Sequence, residues 1–418
     1  MLRILDTSAV PRLLARRASR MNEAEALVRP ILEGVRTRGD KALTEYARKF
    51  DALDAATVAV PQAVLDAAYT ALDSSLRKAL KQASANIRAY AKLQLPTAKQ
   101  ATLAPGLKTG QLIRPLDVVA AYIPGGRYPL PSTLMMTVIP AQVAGVETIC
   151  ACSPKPAGTV LGTAGFLEVN RFFRMGGAHA IAAFAYGTKT VPRADRIVGP
   201  GNIYVAAAKK LLAGETGIDF VAGPTEILII APEKAAEANP RWLAADMLAQ
   251  AEHDPDASAI LLTRSRQVAA AVVQEVQRQL AALPTAAVAR KAIERNSAVI
   301  LVSSLSEAVG ISNRFAPEHL SIPNRSLLPA IRHAGSVFIG PFSTEAAGDY
   351  ASGPNHVLPT SGAARLRGGL STADYVKVIS TQELNLHALK RLSPSVTTLA
   401  RAEGLEAHAR SVEVRTNG

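Results

Sequence analysis

The sequence predicts an α/β protein made of two Rossmann-like parallel-sheet units and a small C-terminal helical segment. Three observations lead there. Short apolar strands alternate with helical stretches of roughly 10 to 15 residues from residue 116 onward, the signature of parallel βαβ units. The alternation comes in two successive sets. Residues 371–418 read as helical but are too few to bury a core alone.

Taken in order, residues from Asn22 to the low nineties are helical in pattern, with Ala26, Leu27, Pro30, Ile31 and Val35, a break at Gly39-Asp40, then Leu43 to Phe50 and Leu65 to Leu93. Their charges fall on solvated faces, so this stretch is packing scaffold. The first strand set is Val118 to Ile123, Glu147 to Cys152, Arg174 to Ala178 and Asp195 to Val198, each followed by a helix. A second set follows: Glu226 to Ala231, Ser258 to Thr263, Ala298 to Val302 and Gly335 to Gly340. The expected domains are a discontinuous larger one over residues 1–115 and 231–370, an inserted one over residues 116–230, and the C-terminal segment. In that segment Leu384 to Leu392 is one helix, Ser393-Pro394 reads as an N-cap with proline at the first helical position, and Leu405 to Val412 is the last helix. It must dock on the body or on a second subunit.

With 418 residues, 48% of them hydrophobic, the chain has enough apolar side chains for a sizeable core. The formal net charge of +13 would suit an anionic ligand or a nucleic acid. Nucleic acid is disfavoured, because the basic residues (Arg16, Arg17, Lys41, Arg48, Arg77, Lys78, Lys209, Lys210) are spread along helices without interleaved aromatics. A nucleic-acid surface would show binding that weakens steeply with salt. The two cysteines, Cys150 and Cys152, share one face of a strand with poor geometry for a disulfide. No apolar run reaches the length of a membrane span and no secretory leader is evident, so a cytoplasmic, reducing compartment is expected.

The richest stretch is Leu248-Ala-Gln-Ala-Glu-His-Asp-Pro-Asp256 at the end of a predicted helix. Leu243, Met247 and Gln250 follow helical spacing, so Gln250 and His253 continue an apolar stripe where polar groups need partners. Two readings stand: a hydrogen-bonded core amide beside a satisfied histidine, or two ligands for a divalent transition metal. Two glycine-rich turns, Tyr122-Ile-Pro-Gly-Gly-Arg127 and Gly199-Pro-Gly-Asn202, follow predicted strands and precede helices. Neither is a G-x-G-x-x-G or Walker pattern, yet a pair in one α/β unit fits a nucleotide as well as it fits tight structural turns. Glu318-His319 sets an acid beside a base, the inventory for moving a proton off a hydroxyl or activating water. Asp349 and His356 share a glycine-rich loop. With Gln250 and His253 they offer mixed nitrogen and oxygen ligands without thiolates, which suits a catalytic zinc better than a structural one.

These motifs, together with Ala222-Gly-Pro-Thr225, Ala316-Pro-Glu-His319, Gly348-Asp-Tyr350 and Asn355-His-Val-Leu-Pro359, occur in the order and approximate spacing of histidinol dehydrogenase, which the chain resembles over nearly its whole length. The resemblance implies a homodimeric enzyme with one zinc per subunit that oxidises L-histidinol through L-histidinaldehyde to L-histidine with two NAD. By matching positions it implies zinc ligands Gln250, His253, Asp349 and His408, the last supplied across the dimer. It implies Glu318 and His319 as the acid–base pair: His319 takes the alcohol proton and Glu318 activates the water that adds to the aldehyde. Thr225, His356 and Glu403 fall at or beside substrate positions, with Gln250, His253, His319, Asp349 and His408 also facing substrate. Tyr122, His179 and Asn202 match cofactor positions.

Two positions depart from the family pattern. His179, in Gly176-Gly-Ala-His-Ala180, stands where a glutamine is usual, and Thr225 stands where a serine is usual. Thr225 keeps the hydroxyl, whereas His179 changes the cofactor contact. Arg127, after the double glycine, raises an alternative on the same scaffold, a zinc-dependent dehydrogenase of a small sulfonated diol. A non-catalytic member of the fold is disfavoured, because all four ligand positions and both acid–base residues are present.

Overall fold

Two six-stranded sheets organise the chain, and both are parallel except for one short edge strand. The computed structural model describes residues 1–15 and 21–417; Arg16, Arg17 and Gly418 lie outside them. In the first sheet the strand order is Arg3–Asp6, Ala298–Leu301, Ser258–Thr263, Glu226–Ile230, His319–Ile322, Ser336–Ile339, all parallel. Burial on both faces explains the nearly unbroken apolar runs. The two-residue period sorts them: Ile227, Ile229, Ala259 and Leu261 face helices carrying Met247, Leu248, Val272 and Ile293, while Leu228, Ile230, Ile260 and Leu262 face Val10, Val309 and Ile311.

The second sheet runs Ala59–Val60, Arg171–Phe173, Thr148–Cys152, Val118–Tyr122, Arg196–Val198, Gly217–Ile218, with only the first pair antiparallel. The N-terminal helices Met21–Arg38 and Asp40–Asp51 pack on it. Their buried stripe is Ala24, Val28, Leu32 and Val35, and Leu27 points to solvent. Cys150 and Cys152 are free thiols buried in this core, as expected.

Several expected boundaries move. Residues 174–178 do not form a strand: the strand is Arg171–Phe173, and the Gly176-Gly177 turn opens the helix Gly177–Tyr186. Apolar periodicity alone does not separate a strand end from the start of a buried helix. The helix expected between Val302 and Gly335 is shorter, Leu305–Phe315, and is followed by the strand His319–Ile322. The strand Glu226–Ile230 is central to the first sheet, so residue 230 does not divide the two sheets, and the N-terminal helices serve the second sheet. Pro394 does not start a helix; it lies within Leu386–Ala402, where it forfeits one backbone hydrogen bond.

Met1–Gln94 and Asp117–Tyr375 form one unit holding both parallel sheets. The other unit, Leu95–Leu116 with Val376–Gly418, is an antiparallel sheet in the order Val376–Leu384, Leu107–Pro115, Lys99–Ala104, with helices Leu386–Ala402 and Glu406–Thr416. Among the described residues no helix is long and apolar enough to cross a membrane.

A buried ion pair fixes one glycine-rich turn. Lys209 is paired with Asp219 and donates to the Gly199 carbonyl at 2.8 Å, while Asp219 accepts the Gly199 N–H at 2.8 Å. Gly199 has φ 108°, and a side chain there would run into the Tyr122 carbonyl. Lys209→Met strands a buried carboxylate, so urea unfolding should show a loss of about 3 kcal/mol or more, partly restored when Asp219→Leu is added.

Candidate active site

The functional side chains gather at the amino edge of the first sheet. Thr225 immediately precedes the strand Glu226–Ile230, and Glu318 immediately precedes His319–Ile322. Glu318 Oε2 accepts from the Glu226 N–H at 2.9 Å and lies 2.6 Å from the Thr225 hydroxyl. His319 pairs with Ile227 in the ladder, which turns its ring into the protein; Nδ1 donates to the Glu226 carbonyl at 3.1 Å. Its Nε2 is buried without a hydrogen-bond partner among the described residues, 3.6 Å from Asp349 Oδ1.

Gln250 is fully buried in the last turn of the helix Pro240–Ala251. Its amide nitrogen faces the Glu345 carboxylate, at 2.5 and 3.0 Å, and its oxygen takes the Thr225 hydroxyl at 2.6 Å; the opposite orientation would set oxygen against oxygen. Thr225 has one hydrogen for two neighbours, Gln250 and Glu318. Burial raises the Glu318 carboxyl above its ordinary value, against the lowering pull of His319, Thr225 and the Glu226 N–H.

His253 lies just beyond the helix rather than on its stripe, and it is exposed, with Nε2 3.9 Å from Asp349 Oδ2. The short helix Glu345–Tyr350, capped by Thr344, puts Glu345 and Asp349 one turn apart on the same face. His253, Glu345 and Asp349 offer ligand atoms all within 4.8 Å of one another. Glu345 is the residue that sequence reading missed; its i, i+4 spacing to Asp349 was the available signal. His356 takes the Asp349 carbonyl on Nδ1 at 2.7 Å and Thr133 Oγ1 on Nε2 at 3.3 Å. Its loop is held by Asn355 Nδ2 on the Met136 carbonyl at 2.7 Å and Asn86 Nδ2 on the Ala351 carbonyl at 2.8 Å.

Electrostatics in this pocket are strained by excess acid. Burial pushes Glu345 up to about 8. Burial alone would lower His319, but Glu345, Glu318 and Asp349 outweigh it and push the imidazole up to about 10. Asp349, though buried, is held below the usual range by His319, His356 and His253. Burial lowers His356.

The other expected residues lie elsewhere. Tyr122 ends its strand at the carboxyl edge of the second sheet, buried, with its hydroxyl accepting the Gly177 N–H at 3.1 Å. Asn202 caps the helix Ile203–Leu212 through the N–H groups of Tyr204 and Val205, both at 3.1 Å. His179 is 1% exposed with Nε2 on Asp51 Oδ2 at 2.7 Å. Glu403 and His408 belong to the second unit, where both are exposed. Thr225, Gln250, His253, Glu318, His319, Asp349 and His356 are thus the expected residues that one chain brings together.

A parallel sheet with glycine-rich turns at its carboxyl edge lies in one unit with a buried imidazole ringed by carboxylates, the arrangement of an α/β enzyme suited to acid–base chemistry. The family model described as histidinol dehydrogenase matches residues 14–416. The histidinol dehydrogenase of Halalkalibacterium halodurans is 47% identical over 397 residues, 93% of each chain. That of Methanothermobacter thermautotrophicus is 43% identical, covering 98% of this chain and 97% of its own. The crystal structure of histidinol dehydrogenase from Elizabethkingia anophelis superposes with a TM-score of 0.93 at 34% identity, covering 100% of this chain and 98% of that one. The chain belongs to the histidinol dehydrogenase family.

The raised groups have a consequence for stability. Glu345 is raised from 4.5 to about 8 and His319 from 6.5 to about 10, so the folded protein holds more protons than the unfolded chain across that span. Their contribution is complete below the unfolded values and lost as pH rises through the folded ones. In the presence of a chelator, the melting temperature should therefore fall between about pH 6 and about pH 9. Glu345→Gln should flatten the part below about pH 8, as read by scanning calorimetry.

Proposed function

We propose that this chain oxidises L-histidinol through L-histidinaldehyde to L-histidine, passing two hydrides to two NAD, as a cytosolic homodimer with one zinc per subunit. The observation that carries this reading is the buried His319, whose Nε2 has no hydrogen-bond partner among the described residues, surrounded by Glu318, Glu345 and Asp349. Three carboxylates around one such imidazole make a pocket short of positive charge. The donor set is oxygen and nitrogen without thiolate, which fits a catalytic zinc. Gln250, His253 and Asp349 would hold it with the partner subunit's His408, and Glu345 would steady the Gln250 amide from behind. Bound there, zinc would orient the amine and imidazole nitrogens of the substrate.

The protein groups then have distinct tasks. His319 Nε2 accepts the alcohol proton while hydride leaves the same carbon toward the dinucleotide. A positive charge among the carboxylates weakens their pull on His319, which brings the imidazole back toward a usable base. In the second half, Glu318 takes a proton from the water that adds to the aldehyde carbon, and hydride leaves again to give the acid. Both Glu318 bonds engage Oε2, and among the described residues Oε1 takes no protein hydrogen bond. Thr225, His356 and the partner subunit's Glu403 would line the substrate, with Tyr122, His179 and Asn202 on the cofactor. The C-terminal helices would cross the dimer. The family assignment does not favour a sulfonated diol.

Purified, zinc-loaded protein offered L-histidinol should form close to two NADH per histidine produced, and a chelator should abolish turnover; an NADH yield near one, or turnover indifferent to chelator, would overturn the assignment. His319→Asn should slow both oxidations by about a hundredfold or more. Glu318→Gln should mainly slow aldehyde to acid, measured with each substrate separately; equal loss in both halves would remove Glu318 from the water step.

A further inference from the structure

The cofactor edge of the second sheet contains a buried carboxylate that the proposed reaction does not use. Asp51, the last residue of the helix Asp40–Asp51, is 5% exposed. Its Oδ2 accepts two hydrogen bonds, from the Gly176 N–H at 2.8 Å and from His179 Nε2 at 2.7 Å. With Nε2 donating to that oxygen, Nδ1 is the ring nitrogen left to meet a ligand. Tyr46 and Phe50 lie against the ring, with centroids 6.1 and 6.0 Å away, and hold its plane.

The Nδ1 edge has no protein partner among the described residues. It opens over Gly177, which has φ 55° and donates its N–H to the Tyr122 hydroxyl at 3.1 Å. A Cβ built on Gly177 would meet nothing within 4 Å except this ring, Nδ1 at 3.6 Å and Cε1 at 3.7 Å. A buried imidazole therefore leaves one nitrogen without a hydrogen-bond partner among the described residues, beside Gly177 at the start of the helix Gly177–Tyr186.

We propose that Asp51 is a positioning residue for the dinucleotide: it fixes the His179 tautomer, so that Nδ1 meets the cofactor as a hydrogen-bond acceptor for a ribose hydroxyl or an amide N–H. This rests on the reading that the dinucleotide lies along this edge. A glutamine at the same place can turn either a donor or an acceptor to the ligand and needs no carboxylate behind it. His179 with Asp51 offers an acceptor alone, which narrows the chemistry of the contact.

Asp51→Asn tests it. The amide loses the charge of the one oxygen that takes both bonds, and with its NH2 turned to Nε2 it puts the imidazole hydrogen on Nδ1. The KM for NAD should rise about tenfold, kcat should fall by less than about threefold, and the KM for histidinol should move less than about twofold. Made in a His179→Gln background, the same change should shift the KM for NAD by less than about twofold. An equal rise in both backgrounds, or a loss expressed in kcat or in the histidinol KM, overturns the proposal. Should Asp51→Asn fail to fold, His179→Leu against His179→Gln decides: only the leucine should weaken NAD, and a native KM in His179→Leu overturns the proposal. Calorimetric titration of the native protein with NAD separates the layers. Native binding unchanged by Asp51→Asn removes Asp51 alone, and no native binding removes the dinucleotide reading with it.

Discussion

Three carboxylates and an imidazole sharing one buried volume are the constraint around which the structure is arranged. Ionised together about 4 Å apart at an effective dielectric of about 20, the carboxylates of Glu318, Glu345 and Asp349 would repel by about 4 kcal/mol per pair; the raised Glu318 and Glu345 answer part of this by holding protons, and free backbones would answer the rest by separating them. They are not free. Glu318 and His319 begin a strand registered on both sides, and Glu345 and Asp349 ride one capped turn. Gly348 lies so close to the Phe338 ring that a Cβ there would stand 2.6 Å from a ring carbon, which presses that turn against the neighbouring strand. Rigid ladders on one side and a tightly packed helix on the other confine the acids to where a cation can answer them.

The two sheets present opposite ends to their ligands. At the second sheet the glycine-rich turns follow the strands, the usual carboxyl-edge arrangement for an open α/β sheet. At the first sheet Thr225 and Glu318 immediately precede the strands, and His319 is the first residue of its own. This follows from the interactions required. At a strand's first residue the backbone N–H of Glu226 holds the Glu318 carboxylate, and the Glu226 carbonyl takes His319. Glu318 and His319 are thus oriented by backbone atoms that no side-chain substitution removes.

Much of this was legible in the chain. The apolar runs matched seven of the twelve strands of the two sheets nearly to the residue, because strands buried on both faces must be apolar throughout, whereas Arg3–Asp6, Ala59–Val60, Arg171–Phe173, Gly217–Ile218 and His319–Ile322 were short or polar and escaped that signal. The sequence also marked Gln250, Glu318, His319, Asp349 and His356, since polar groups in apolar or glycine-rich settings need partners. Other features depended on tertiary contact. Glu345 looks like an ordinary first-turn glutamate until the Gln250 amide is found on it. Asp51 ends a helix in what reads as scaffold, and its partner His179 is 128 positions away. Pro394 was read by local rule as a start, and the surrounding helix overrode it. The antiparallel strands at 99–115 and 376–384 are exposed and polar along much of their length, so neither period stood out.

The helix Pro131–Ala144 begins nine residues after Tyr122, and in its first turn Thr133 reaches His356 on the loop beside Asp349. One turn of helix therefore follows the carboxyl edge of the second sheet and touches the loop of His356. In the proposed reaction the spacing between cofactor and substrate would be gauged by that turn, as by a ruler, rather than by a hinge. Alcohol carbon and nicotinamide would meet at a separation built into the scaffold, and any change that melts this turn would lose the alignment of both ligands at once.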